Sequence, residues 1–184
     1  MKIQLYIFSD YNKSITSEVI IKTIISKLLE KSFDEIDIKK TFNGKPYLNN
    51  YSDFYFNISH SKDLFAIALS DNPIGVDIEK KCKPNSSKNL HLIELICKRF
   101  FSKAEQAYIF ESSINPLNKF YEIWTKKEAY TKFKDQSLIN SFNNFCVLEN
   151  ELKQTLNTME NNEFIITIAS NYFRNNIKYN YILN

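Results

Sequence analysis

The sequence predicts an α+β protein of two similar lobes, and three features lead there. The first part of the chain runs strand, helix, strands; Asp71-Asn72-Pro73 then punctuates it; and the second part again mixes helices with strands, although no direct repeat relates the two. The lobes are expected at residues 1–73 and 74–184.

Residues 2–8 alternate as a strand. Val19, Ile20, Ile24, Ile25, Leu28 and Leu29 recur at helical spacing over 16–31, with Ser14 or Thr16 as the N-cap. Asn43-Gly44 marks a turn. Residues 54–58 and 64–69 read as strands joined by the short loop His60-Ser61-Lys62-Asp63; the second, apolar on both faces, is expected to be central in its sheet. Gly75-Val76-Asp77-Ile78-Glu79 opens the second lobe as a strand, and a polar loop follows over 80–88. Helices are expected at 90–98, after the capping box Ser102-Lys103-Ala104-Glu105, and from Asn115-Pro116 to residue 134, where Asn caps and Pro suits the first turn. Strands at 143–149, 163–169 and 177–182 complete the reading.

With 184 residues, 43% of them hydrophobic and 15% aromatic, the chain can bury a real core, which excludes intrinsic disorder. Its 24 basic and 21 acidic residues are intermixed and leave a formal charge of +3, too weak a field to recruit nucleic acid or an anionic membrane. The apolar run at the N-terminus is too short for a signal peptide, and no segment approaches the roughly 20 residues that span a bilayer, so a soluble protein is expected. Cys82, Cys97 and Cys146 lie far apart without a CxxC pair, which argues against a disulfide framework or a zinc site and for free thiols in a reducing cytoplasm. With His60 and His91 the only histidines, metal chemistry must use carboxylates. Average usage predicts on the order of a dozen glycines in this length. There are two, Gly44 and Gly75, and each is expected to mark a positive φ or a close backbone approach.

On a strand, Asp77 and Glu79 share one face while Val76 and Ile78 point to the other. Two neighbouring carboxylates repel, and a hard dication such as Mg²⁺ relieves them; a solvated strand face is the alternative. On the helix from Pro116, Leu117, Tyr121, Trp124 and Glu128 form one stripe, with Phe120 at its edge and Lys132 one turn beyond Glu128. A carboxylate continuing an apolar face needs a cation, and either Lys132 or a metal serves. Asn57-Ile58-Ser59-His60-Ser61 ends a strand with small donors and a histidine, suited to a phosphate or simply to a capped hairpin. Gly44-Lys45-Pro46 is a turn that presents Lys45.

Taken in order, Gly44-Lys45-Pro46, Phe56-Asn57-Ile58-Ser59-His60-Ser61, Gly75-Val76-Asp77-Ile78-Glu79, Arg99-Phe100-Phe101-Ser102 with Glu105, and Trp124-Thr125-Lys126-Lys127-Glu128-Ala129-Tyr130-Thr131-Lys132 resemble the 4′-phosphopantetheinyl transferase superfamily. The match covers residues 44–132 and looks like the surfactin-synthetase-activating type, with two lobes in one chain related by a pseudo-twofold axis, more than the short trimeric holo-carrier-protein synthases.

The resemblance implies transfer of the 4′-phosphopantetheine arm of coenzyme A to a serine of an apo acyl, peptidyl or aryl carrier protein, leaving 3′,5′-ADP. It assigns Asp77, Glu79 and Glu128 to Mg²⁺, Lys132 to the phosphates near the leaving group, and Lys45, Ser59 and His60 to the phosphates of coenzyme A in a cleft between the lobes. Glu128 is the candidate base, directly or through a metal-bound water, with Lys132 and His60 beside it in the catalytic set. Lys13 is a looser match to a basic nucleotide contact, because the N-terminal segment has little of the family's basic character. Phe100 and Phe101 either shape the carrier-binding side or pack a core. A cytoplasmic monomer is expected, with no nucleic-acid or membrane partner. The rivals are a non-catalytic coenzyme A or carrier-protein binding module of the same fold, and a small interaction domain whose charges merely pair. A GxGxxG or GxxxxGK[ST] nucleotide motif does not occur.

Overall fold

Alternation along three strand pairs decides where the main core sits. A computed structural model describes residues 3–9, 11, 16–81, 87–111, 115–137, 141–173 and 177–182. One sheet has the order β4 (Tyr55–Ser61), β5 (Leu64–Ser70), β1 (Gln4–Phe8) and β9 (Lys178–Ile182). The other has the order β6 (Gly75–Lys80), β8 (Phe164–Ala169) and β7 (Leu156–Glu160), all antiparallel. Ile3, Leu5, Ile7, Leu64, Ala66 and Ala68 of the first sheet meet Val76, Ile78, Phe164, Ile166 and Ile168 of the second in one buried cluster, so the two sheets pack face to face. One side of each strand of the second sheet therefore faces the first.

The opposite faces carry the helices. Phe65, Ile67 and Leu69 of β5 pack with Ile21 and Ile25 of α1 (Ser17–Leu29), so β5 is buried along its whole length and central, as its doubly apolar pattern predicts. Thr16 caps α1 by accepting from Val19 N–H; Ser14 lies outside the described residues. A small ribbon of β2 (Ile38–Lys40) and β3 (Pro46–Leu48) turns through Gly44 at φ 86°. On the far side of the second sheet lies α4 (Pro116–Phe133), with α2 (Ser87–Phe100) and α3 (Lys103–Phe110) against it and the short α5 (Asn150–Lys153) beside β7. Asn115 and Ser102 cap α4 and α3 as their sequences predict, the second through a complete capping box.

Gly75 lets α4 approach β6. A Cβ there would stand 2.1 Å from the Ala129 carbonyl oxygen and 2.5 Å from the Phe133 nitrogen, so both glycines occupy positions that need them, Gly44 for φ and Gly75 for closeness. The α+β class is borne out.

Two elements differ from expectation. No strand forms over 143–149: residues 142–144 make a 3₁₀ turn, and 145–149 are irregular. Their backbone groups go elsewhere, because the Phe142 and Phe145 carbonyls accept from Lys127 Nζ at 2.7 Å each and Val147 N–H donates to Glu105 at 2.9 Å. The strand that does form, β7, is the polar Leu-Asn-Thr-Met-Glu run at the sheet edge, whose half-exposed pattern carries little apolar signal. The last strand, β9, returns to the first sheet and pairs in parallel with β1.

Candidate active site

The candidate carboxylates come together because β6 and α4 are in contact through Gly75. Asp77 and Glu79 point from β6 toward α4, while Val76 and Ile78 fill the core between the sheets. From α4, Lys132 places Nζ 2.7 Å from Asp77 Oδ1 and 3.3 Å from Glu128 Oε2, one turn away on its own helix. The cation that Glu128 requires is therefore Lys132, and the same ammonium also serves Asp77.

β4 supports this arrangement from the other sheet. Among the described residues β6 is an edge strand, whose outward N–H groups meet no strand. Asn57 Oδ1 accepts from Val76 N–H at 2.9 Å, Ser59 Oγ from Ile78 N–H at 3.3 Å, and Ser61 Oγ from Lys80 N–H at 3.1 Å. The two serine hydroxyls then donate onward, Ser59 to Asp77 at 2.8 Å and Ser61 to Glu79 at 2.6 Å. Ser59 is buried, and its oxygen also accepts from Lys132 at 3.3 Å. The Asn-x-Ser-x-Ser spacing is a side-chain ladder that matches the period of β6 and aims its carboxylates.

The electrostatics follow from crowding. Burial, then the Asp77 charge, pushes the Glu128 carboxyl up to about 8 against the opposing pull of Lys132. Burial raises Glu79 too, and the Ser61 hydroxyl, Lys132 and the Trp124 indole oppose it while Asp77 adds to it. Burial works against the Lys132 charge, but Asp77 and Glu128 outweigh it and hold the ammonium above its ordinary pKa.

Among the described residues, no three carboxylate, thiol or imidazole groups converge as a ready metal-binding cluster. Asp77 and Glu128 face one ammonium, and Glu79 turns to Ser61. The residues nevertheless fit a hard cation. Asp77 Oδ2 is buried with no hydrogen-bond partner among the described residues, and all three groups offer oxygen donors whose mutual repulsion a dication would relieve.

Beside the carboxylates opens a groove of about 740 Å³ lined by Ser17, Ile38, Lys40, Lys45, Asn57 and Lys132, among others. Its size suits a cofactor-like ligand. Lys45 reaches it from the ribbon, half-buried rather than solvated, its Nζ donating to the Phe133 carbonyl at 3.3 Å. His60 is exposed at the end of β4, on the strand side shared with Ile58, which lines the groove, and opposite Ser59 and Ser61. Lys13 lies outside the described residues.

With this geometry in place, comparison with known proteins is decisive. Residues 73–178 match the model of the 4′-phosphopantetheinyl transferase superfamily, and residues 1–72 match that of the 4′-phosphopantetheinyl transferase N-terminal region. The chain belongs to the 4′-phosphopantetheinyl transferase superfamily. Within the superfamily it is 31% identical over 139 residues to 4′-phosphopantetheinyl transferase Sfp of Bacillus subtilis (strain 168), covering 75% of this chain and 58% of that protein. It is 28% identical over 160 residues to 4′-phosphopantetheinyl transferase gsp of Aneurinibacillus migulanus, covering 86% and 63%. It is also 28% identical over 130 residues to L-aminoadipate-semialdehyde dehydrogenase-phosphopantetheinyl transferase of Rattus norvegicus, covering 67% and 42%. The aligned part spans less than two thirds of the length of each of these relatives.

A buried ion pair within this superfamily member was invisible to pattern reading. Lys127 and Glu105 are both 0% exposed, 3.2 Å apart. Lys127 Nζ also stands 4.4 Å from the Phe145 ring centroid, and Glu105 Oε2 accepts the Ser102 N–H. The stripe read from the sequence includes the neighbouring Glu128 but not Lys127. Phe101 is core packing, stacked at 5.8 Å on Phe120, which stacks in turn at 5.7 Å on Trp124.

Proposed function

We propose that this chain transfers the 4′-phosphopantetheine group of coenzyme A to a serine hydroxyl of an apo carrier protein, giving the holo carrier and 3′,5′-ADP. One observation carries the reading: Asp77 and Glu128, from two different elements, share the Lys132 ammonium beside a lysine-lined groove. The names of the relatives support the same chemistry.

Asp77, Glu79 and Glu128 would hold Mg²⁺ with the pyrophosphate of coenzyme A. A dication there supplies charge neutralisation for the pyrophosphate and for the charge growing on the leaving group. Lys132, already raised in pKa by its two carboxylates, remains charged at neutral pH and sits where it can contact those phosphates. Lys45, which lines the groove, would contact the nucleotide phosphates, and His60, exposed at the end of β4, would join it there. Ser59 acts on the ligand through Asp77 and Lys132, since both are within its hydrogen-bonding reach.

The carrier serine oxygen attacks the β-phosphorus of coenzyme A, the bond from that phosphorus to the 3′,5′-ADP oxygen breaks, and the serine proton leaves. Glu128 would accept it in its ionised form, which Lys132 and a bound dication would favour against the burial and the Asp77 charge that lift the metal-free carboxyl to about 8. Positioning and electrostatics, without a covalent enzyme intermediate, provide the acceleration. The working unit is a cytoplasmic monomer of two lobes, 1–73 and 74–184, consistent with the free Cys97 and Cys146 thiols and with the division of the two family models at residues 72 and 73.

Release of 3′,5′-ADP that requires both an apo carrier and Mg²⁺ tests the proposal. Coenzyme A binding with no such release on any carrier would favour a non-catalytic binding module instead.

A further inference from the structure

We propose that Asp135 is a positioning residue for the groove, clasping the β2–β3 ribbon to the end of α4 so that Lys45 and Lys132 line it together and address one ligand. The inference rests on the reading of the groove as the coenzyme A site, and it concerns residues outside the carboxylate cluster.

The tip of the ribbon needs an anchor. Among the described residues its two strands pair with no third strand, and although Leu48 packs into the cluster that holds Ile25, Phe56 and Phe65, residues 42–44 at the tip are exposed. Asp135, just past α4, supplies the anchor with both its side chain and its backbone. Thr41 Oγ1 donates to Asp135 Oδ1 at 2.9 Å, and Asn43 Nδ2 donates to the Asp135 carbonyl at 2.7 Å. The bonds span 94 and 92 residues of sequence, so they tie together parts of the chain that local folding does not.

The clasp leads directly to Lys45. The Thr41 hydroxyl that donates to Asp135 also accepts the Lys45 N–H at 3.1 Å, and the Lys45 carbonyl accepts the Thr41 N–H at 2.9 Å. Lys45 Nζ then reaches the Phe133 carbonyl on the last turn of α4. Burial disfavours the Lys45 charge, and the Asp135 carboxylate opposes that effect. Asn43, Gly44, Lys45, Lys132 and Asp135 all line the same groove.

Asp135 stands at φ 52°, a left-handed conformation in which glycine is unstrained and an aspartate is held at a cost. That conformation makes the role testable, because glycine removes the side-chain half of the clasp while easing the backbone. The experiment compares the full-length wild type with Asp135→Gly, Asp135→Asn, Thr41→Val and the Asp135→Gly/Thr41→Val pair. Amide hydrogen exchange, melting temperature, coenzyme A titration with Mg²⁺, and the KM and kcat for coenzyme A are the readouts.

Asp135→Gly is expected to keep or raise the melting temperature, to speed exchange across 38–48, and to weaken coenzyme A binding and raise its KM about fivefold with kcat little changed, the scale of one net hydrogen bond. Thr41→Val removes the bond to Asp135 together with the acceptor of the Lys45 N–H, so it should weaken binding at least as much as Asp135→Gly, and the pair should be no worse than Thr41→Val alone. Asp135→Asn keeps an acceptor and tolerates the left-handed backbone, so it should restore wild-type exchange and affinity. Wild-type exchange and coenzyme A affinity in Asp135→Gly would overturn the proposal. An Asn variant as weak as the Gly variant would also overturn it, since charge and not the clasp would then be responsible. If the wild type binds no coenzyme A, the functional reading fails while the exchange comparison still decides whether the clasp exists.

Discussion

Replacing Gly75 with alanine should separate the two elements that carry the site. The added Cβ would lie 2.1 Å from the Ala129 oxygen, whereas such contacts essentially never fall below 3.0 Å, so β6 and α4 must part by at least 3.0 − 2.1 = 0.9 Å. Both obstructing residues are backbone neighbours of site residues, Ala129 next to Glu128 and Phe133 next to Lys132, so no side-chain rotation relieves the clash. A parting of that size stretches the 2.7 Å contact between Lys132 and Asp77 past hydrogen-bonding range. Overpacking of a tight core typically costs about 1–3 kcal/mol. A displacement near 1 Å at reacting groups can cost on the order of a hundredfold in rate. Urea denaturation together with carrier loading at saturating coenzyme A would measure both. A Gly75→Ala protein with wild-type midpoint and wild-type rate would refute the close-approach argument, and with it the reason given for a glycine at the start of β6.

Three further outcomes follow from the same geometry. The folded protein holds a proton on Glu128 up to about pH 8, whereas the group ordinarily loses it near 4.5; the unfolded chain therefore binds fewer protons in that window, and metal-free stability should fall as pH rises through it. Glu128→Gln should flatten that slope, melt higher than wild type above pH 8, and lose transfer activity; thermal melts across the window check it. Ser61→Ala removes the 2.6 Å bond to Glu79 and should weaken Mg²⁺ binding by about tenfold, as loss of an outer-shell donor commonly does, measured by calorimetry in the presence of coenzyme A. Lys127→Met leaves Glu105 charged and fully buried without its counter-ion, and should destabilise the protein by about 3–5 kcal/mol in chemical denaturation, more than the double change Lys127→Met with Glu105→Gln.

What could be read from the sequence was what short-range periodicity encodes. The doubly apolar run at 64–69 gave a central strand, Ser102 and Asn115 gave helix starts, and i,i+2 spacing put Asp77 and Glu79 on one face. The scarcity of glycine pointed at Gly44 and Gly75, and each has its physical reason. The rest depends on contacts between distant segments. Lys127 appears in a stripe analysis as one more surface lysine, because nothing local says that Glu105, Phe142 and Phe145 will enclose it. The same enclosure removed the expected strand at 143–149, by giving its backbone groups other partners. The ladder from Asn57, Ser59 and Ser61 to β6 had a visible signal, polar residues at period two on an otherwise apolar strand, but its target lies on another sheet.

The most direct measurement is the intact mass of several apo acyl and peptidyl carrier proteins after incubation with this protein, coenzyme A and Mg²⁺, beside an Asp77→Ala control. The account predicts a gain of one phosphopantetheine on at least one carrier, absent without Mg²⁺ and absent with Asp77→Ala, because Asp77 joins Lys132, Ser59 and the proposed cation in a single cluster. No gain on any carrier, with coenzyme A still bound, or an equal gain with Asp77→Ala, would contradict it.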